Sequence, residues 1–238
     1  MKALILNSGL GSRMGDITNT HPKCMTEITD SDTIVSRQLK LLNEVGINDV
    51  VMTTGYFDDI LKNYCDNLGL NMKITYVNNP KYRETNYIYS IYCAKDYLHD
   101  DIILMHGDLV YTIDILKDII NSDKSVMTVS TTLPLPEKDF KSVIKDNKIE
   151  KIGINFFDNA LSAQPLYKIN KQDFEIWLNK IIEYCENDNT KCYAENAFNE
   201  VSDKCNIYPF DVKDELCNEI DNKEDLENVK IKLKQRRI

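Results

Sequence analysis

Met1-Lys2-Ala3-Leu4-Ile5-Leu6-Asn7-Ser8-Gly9-Leu10-Gly11-Ser12-Arg13-Met14-Gly15, running on through Thr18 and Pro22-Lys23 to Glu27, is the stretch around which the chain is organised. Ala3 to Leu6 is an apolar run that stops abruptly at Asn7, Ser8, Gly9 and Gly11, the pattern of a buried strand feeding a loop. Without side chains at Gly9 and Gly11, backbone N–H groups can close on an anion. Arg13 adds a fixed, always-charged fork suited to phosphate, and Lys23 a compact ammonium. Two familiar glycine loops are excluded. A dinucleotide fingerprint needs glycine or alanine three residues after its second glycine, and that position is Met14. A P-loop ends in Gly-Lys-Ser/Thr, which occurs nowhere in the chain.

Working outward, the next hundred residues alternate. Thr33 to Val45 has helical apolar spacing and ends at Gly46, Asp49 to Thr54 is a strand, and Ile60 to Leu68 is a helix stopped by Gly69. Lys73 to Val77 is a strand broken by Asn78-Asn79-Pro80, Asn86 to Leu98 is an aromatic-rich helix, and Asp101 to Met105 is an apolar strand. This alternation predicts a Rossmann-like α/β fold, three-layer αβα with a mostly parallel mixed sheet, whose ligands sit at the carboxyl ends of the strands. Further on come a strand (Lys124 to Thr132), a hairpin (Lys141 to Ile154, turning at Asp146-Asn147) and a strand (Gln164 to Ile169). A helix (Asp173 to Tyr184) and a short helix (Ala194 to Val201) follow, then strands at Asn206 to Phe210 and Cys217 to Ile220, and a last helix (Lys223 to Lys234). We expect one domain over 1–238: a nucleotide-binding core over 1–122, and 123–238 completing the sheet and forming a small acceptor-side lobe.

Composition sets limits. The chain has 238 residues, 42% hydrophobic and 28% charged, enough for a full core and against disorder. A net charge of −9 argues against nucleic acid as a partner and requires a phosphate site to be locally basic or metal-assisted. The seven cysteines contain no CxxC pair, so a zinc site is not indicated, and their odd number fits reduced thiols in the cytoplasm. The opening apolar run is too short for a signal peptide or a membrane span. His21, His99 and His106 sit in no nucleophile motif, so no catalytic triad is expected. A homodimer is left open.

Gly9-Leu10-Gly11-Ser12-Arg13, with Thr18 and Pro22-Lys23, resembles the signature loop of the nucleotidyltransferases that make NDP-sugars and CDP-alcohols. There the loop wraps the triphosphate of an NTP, which implies phosphate-handling roles for Arg13 and Lys23 and nucleotide contacts from Leu6, Asn7, Ser8, Gly9, Gly11 and Ser12. The chain departs by having Asn7-Ser8 where Ala or Gly is usual. Asp108, after the strand ending at Met105, matches the family aspartate that binds Mg²⁺ and nucleotide. Val110 replaces a second acid common two residues on, so Asp221, in a segment resembling the family's C-terminal metal-binding stretch, is the candidate partner. Asp221 with Glu224 also fits a capping box for the last helix.

Asn86-Tyr87-Ile88-Tyr89-Ser90 is similar to the Asn-x-x-x-Ser segment of the bacterial CTP:phosphocholine cytidylyltransferases, making Asn86 and Ser90 candidate nucleotide contacts on one helix face. Glu195 lies where that subgroup has an acid facing the acceptor's cation, and Lys141 is a second candidate acceptor contact. Quaternary ammonium binding favours an aromatic cage, and near the hairpin the sequence offers only Phe140. The resemblance therefore implies transfer of CMP from CTP to a phosphorylated or phosphonate acceptor that is phosphocholine-like, aminoethylphosphonate-like or a phospho-amino acid, with Mg²⁺ as cofactor and pyrophosphate released. The alternatives are a sugar-1-phosphate nucleotidyltransferase using UTP or dTTP, and a non-catalytic nucleotide-binding subunit.

Overall fold

The structure, a computed structural model, describes residues 1–236. Strand β1 (Lys2–Leu6) pairs in parallel with β2 (Asp49–Thr54) on one side and β4 (Ile102–His106) on the other, and β3 (Lys73–Asn78) extends the parallel set beyond β2. Between them lie α1 (Ile34–Glu44), α2 (Asp58–Asp66) and α3 (Tyr87–Ala94). Beyond β4 come β5 (Leu109–Tyr111) and α4 (Ile113–Ile120), two elements that the sequence pattern does not announce. Three residues are too few to display strand alternation, although Thr112 does cap α4 by accepting from Ile115 N. The later elements are β6 (Ser125–Ser130), β7 (Lys141–Lys145), β8 (Lys148–Gly153), β9 (Ala160–Ile169), α5 (Lys171–Glu186), α6 (Ala194–Asn199), β10 (Ile207–Asp211), β11 (Cys217–Glu219) and α7 (Lys223–Arg236).

The sheet runs β10-β6-β9-β4-β1-β2-β3, with β9 antiparallel to both neighbours, so it is mostly parallel but mixed. The β7–β8 hairpin hangs from the outer half of β9, and its turn residues Asp146 and Asn147 take the left-handed φ values of 49° and 60° that Asp and Asn tolerate. β5 pairs with β11 in a separate ribbon.

Why the middle strands are apolar throughout is visible in β1. Leu4 and Leu6 point into a core shared with α3, α5 and α6, while Ala3 and Ile5 point into one shared with α1, α2 and α4. A strand buried on both faces cannot afford an alternating polar side. A third cluster joins Met14, Val110 and Ile220 to Leu226 and Val229 of α7, so the last helix clamps the glycine loop and the β5–β11 ribbon together.

Candidate active site

The glycine loop leaves β1 and turns at Gly11 with φ +66°, and a Cβ there would lie 2.8 Å from the Cβ of Lys23. Glycine therefore serves both the left-handed turn and the close approach of Lys23. Thr18 holds the loop shut, its hydroxyl donating to the carbonyls of Gly11 (3.1 Å) and Gly15 (3.2 Å). The Asp108 turn is pinned from three sides. Gln38, buried on α1, donates to the carbonyls of His106 (2.9 Å) and Leu109 (2.8 Å). Gly107 N donates to Leu6 O at 3.0 Å, and Ile220 N to Asp108 O at 3.0 Å.

These turns face one cleft of about 280 Å³, lined by Leu6, Asn7, Gly9, Gly11, Ser12, Arg13, Lys23, Asp108 and Asp221. Of the residues expected from the loop and the two aspartates, all but Ser8 are brought together here; Ser8 is buried and turned toward Ser90. Lys23 is the hub: its Nζ donates to Asp108 Oδ2 at 2.6 Å and to Asp221 Oδ1 at 2.7 Å. Burial works against the ammonium, but the charges of Asp108 and Asp221 overcome it and hold its pKa above the ordinary lysine value. Burial likewise raises the Asp108 carboxyl, and the charges of Lys23 and then His106 more than offset it, leaving it below the usual carboxylate value. Arg13 is 66% exposed and reaches Asp221 at 2.9 Å. Such a solvated pair contributes little to stability, which leaves the guanidinium available to an incoming anion.

Asp221 does not cap the last helix. Asn222 accepts from the backbone N–H groups of Glu224 (2.8 Å) and Asp225 (3.1 Å), and Asp225 accepts from those of Asp221 (2.9 Å) and Asn222 (3.1 Å). The capping box is thus Asn222 with Asp225, one residue later than the sequence suggests. Asp221's carboxylate is released into the cleft, and the competition between cap and metal disappears. Asp108 Oδ1 is buried without a hydrogen-bond partner, while Asp108 and Asp221 already share one cation. A set of hard carboxylate oxygens with an unsatisfied member suits Mg²⁺.

Beyond Asp108 the cleft opens into a second cavity of about 350 Å³. Tyr87, Phe140 and Tyr193 form its wall, with ring centroids 5.8 Å (Tyr87–Tyr193) and 5.2 Å (Phe140–Tyr193) apart. Asp139, Glu219 and Lys138 also line it. Burial, then the charges of Asp221 and Asp225, push the Asp139 carboxyl up. Glu219 is raised to about 7 by burial and by Asp108, and it pairs with His106 Nδ1 at 2.9 Å. The sequence reading found only Phe140 of this aromatic wall. Nothing local marks Tyr87 and Tyr193, 106 positions apart, as neighbours.

The remaining expected residues sit around these cavities. Asn86 caps α3, accepting from Tyr87 N at 2.8 Å, and lines a pocket of about 180 Å³ with Ser8, Gly9, Asn79 and Tyr82. Ser90 is buried below that pocket, 2.6 Å from Ser8 Oγ and accepting from Asn79 Nδ2 at 3.0 Å, so it braces the loop. Asn86 is the cap rather than a helical residue, so the two do not form the shared helix face expected.

Glu195 does not line the cavity. It is 1% exposed and accepts from the hydroxyls of Tyr87 and Tyr167 (2.8 Å), standing behind the aromatic wall. Glu195→Ala strands two buried phenols and is expected to cost about 2–4 kcal/mol, read as a lowered Tm. Lys141 is fully buried, its ammonium donating to the carbonyls of Pro136 (2.5 Å) and Asp139 (3.1 Å). It shapes the loop that carries Asp139 and Phe140 and does not reach an acceptor directly.

A family profile described as a domain of unknown function (DUF6564) matches residues 19–182. A CTP:phosphoglutamine cytidylyltransferase from Campylobacter jejuni is 31% identical over 160 residues, 64% of this chain and 62% of the relative, so the chain spans less than two thirds of that protein. A choline-phosphate cytidylyltransferase from Haemophilus influenzae is 28% identical over 98% of this chain and 97% of its own length. The structure of the CTP:phosphocholine cytidylyltransferase from Streptococcus pneumoniae superposes with a TM-score of 0.77 over 98% of each chain at 19% identity, a likeness of fold. No helix among the described residues is long and apolar enough to cross a membrane. The profile match places the chain in the DUF6564 family, and the relatives and structures it resembles are nucleotidyltransferases.

Proposed function

We propose that the chain is a cytoplasmic, Mg²⁺-dependent cytidylyltransferase. An acceptor phosphate or phosphonate oxygen attacks the α-phosphorus of CTP, the new P–O bond forms, and the bond to pyrophosphate breaks. The observation that carries this reading is the Lys23 ammonium clasped between Asp108 and Asp221, opposite the glycine loop. Backbone N–H groups at Gly9 and Gly11, with Ser12, cradle the triphosphate, and Arg13 and Lys23 neutralise it. Leu6, Ser8, Asn86 and Ser90 shape the nucleoside side. Asp108 and Asp221 are the residues that would hold Mg²⁺, which would supply charge neutralisation for the phosphates.

The acceptor reading comes from the second cavity. A wall of Tyr87, Phe140 and Tyr193 beside Asp139 and Glu219 suits a cationic head group, through ring faces and carboxylate charge together. Glu195 acts through Tyr87, whose hydroxyl it fixes. We therefore take the acceptor to be an amine-bearing phosphate or phosphonate. The test measures pyrophosphate release with CTP, UTP, dTTP, ATP and GTP against phosphocholine, aminoethylphosphonate, phosphorylated amino acids and hexose 1-phosphates. Turnover is expected with CTP and an amine-bearing acceptor. Turnover confined to UTP or dTTP with a hexose 1-phosphate would replace this reading with the sugar-nucleotide one.

A further inference from the structure

Asn7 stands where the resembling loops carry Ala or Gly, and its amide is set into the nucleotide cleft. The residue is 7% exposed at the carboxyl end of β1. Its backbone N–H donates to Thr53 O at 3.1 Å and to Thr53 Oγ1 at 3.2 Å, so the main chain is fixed. The side chain is not: Nδ2 is buried with no hydrogen-bond partner among the described residues. The chain also makes room for this amide. A Cβ at position 107 would lie 1.6 Å from Asn7 Oδ1, so the residue preceding Asp108 has to be glycine.

A buried, unpaired amide destabilises a protein, and alanine at the same place would avoid that. The amide lies between the glycine loop and Asp108, whose own Oδ1 also lacks a partner. A half-turn about the Cβ–Cγ bond exchanges the two ends of the amide and brings the donor to the cleft face. We propose that Asn7 is a further catalytic residue whose Nδ2 donates to a non-bridging oxygen of the α-phosphate. This rests on the cytidylyltransferase reading. A neutral donor suits the place: negative charge grows on those oxygens during transfer, while Arg13, Lys23, Asp108 and Asp221 are already balanced two against two.

The test compares Asn7→Ala and Asn7→Asp with the wild type, reading Tm, CTP affinity by calorimetry, and kcat. Asn7→Ala is expected to keep or raise Tm and to lower kcat by about 10²-fold, the effect of losing one preorganised donor. Asn7→Asp keeps the shape but sets a carboxylate against the phosphate, and CTP binding is expected to fall by about tenfold or more. A kcat for Asn7→Ala within about twofold of wild type, or undiminished CTP binding by Asn7→Asp, overturns the proposal. A purely structural role would lower Tm and leave kcat in place. Wild-type protein that neither binds nor turns over CTP would instead sink the reading on which the proposal rests.

Discussion

Asp108→Asn lowers pyrophosphate release from CTP by about 10³-fold, equivalent to about 4 kcal/mol of transition-state stabilisation. The side chain keeps its size and its place in a turn pinned by Gln38, Leu6 and Ile220. The change removes the negative charge. An amide presents one weak acceptor where the carboxylate offers Oδ2 to Lys23 at 2.6 Å and a buried, unused Oδ1. Hard divalent cations need carboxylate oxygen at such a site, so Mn²⁺ binding in the presence of CTP is expected to weaken in parallel, and Tm to fall because the Lys23 ammonium loses one of its two carboxylates. A variant that retains turnover and Mn²⁺ binding would remove Asp108 from the chemistry.

Lys23→Met separates two roles of one side chain. The ammonium is only 13% exposed and lies between two carboxylates, so its loss leaves Asp108 and Asp221 as part-buried like charges, with only the exposed Arg13 still paired to Asp221. Breaking a buried charge cluster in this way costs about 3–5 kcal/mol. For a domain of this size that is a fall in Tm of roughly 10 °C in chelator-treated buffer. Millimolar Mg²⁺ or Mn²⁺ should restore much of it, because the cation replaces the lost charge and binds only the folded state. Turnover should stay about 10²–10³-fold down despite that rescue, since the phosphates have lost their point charge. An unchanged Tm without metal, or full activity with it, would show that the Lys23 clasp is incidental.

Much of this was legible locally. The run Ala3 to Leu6 has to be a doubly buried strand because apolar residues fall on both of its faces, and the helix–strand alternation to Met105 follows from periodicity and its glycine stops at Gly46 and Gly69. Gly11, Arg13 and Lys23 announce a phosphate loop because the chemistry lies within a dozen residues. Asp108 was legible because it follows an apolar strand. The same local logic starts the last helix correctly at Lys223 but misplaces its cap: Asp221-x-x-Glu224 looks like a capping box, yet the cap lies one residue later, on Asn222 and Asp225.

The sequence by itself determined the α/β class, the order of elements through the parallel strands, and the presence of a glycine turn after β1 with Arg13 and Lys23 beside it, since each depends on neighbours close in the chain. The tertiary structure alone decided which side chains share charge and space. Lys23 meets Asp108 across 85 positions and Asp221 across 198, and Tyr87 comes to face Phe140 and Tyr193. Glu195 is drawn behind that wall, and Lys141 is consumed by the carbonyls of its own loop. These juxtapositions depend on how β9 threads antiparallel between β4 and β6 and how α7 folds back over Met14. Local periodicity carries no record of such long-range packing.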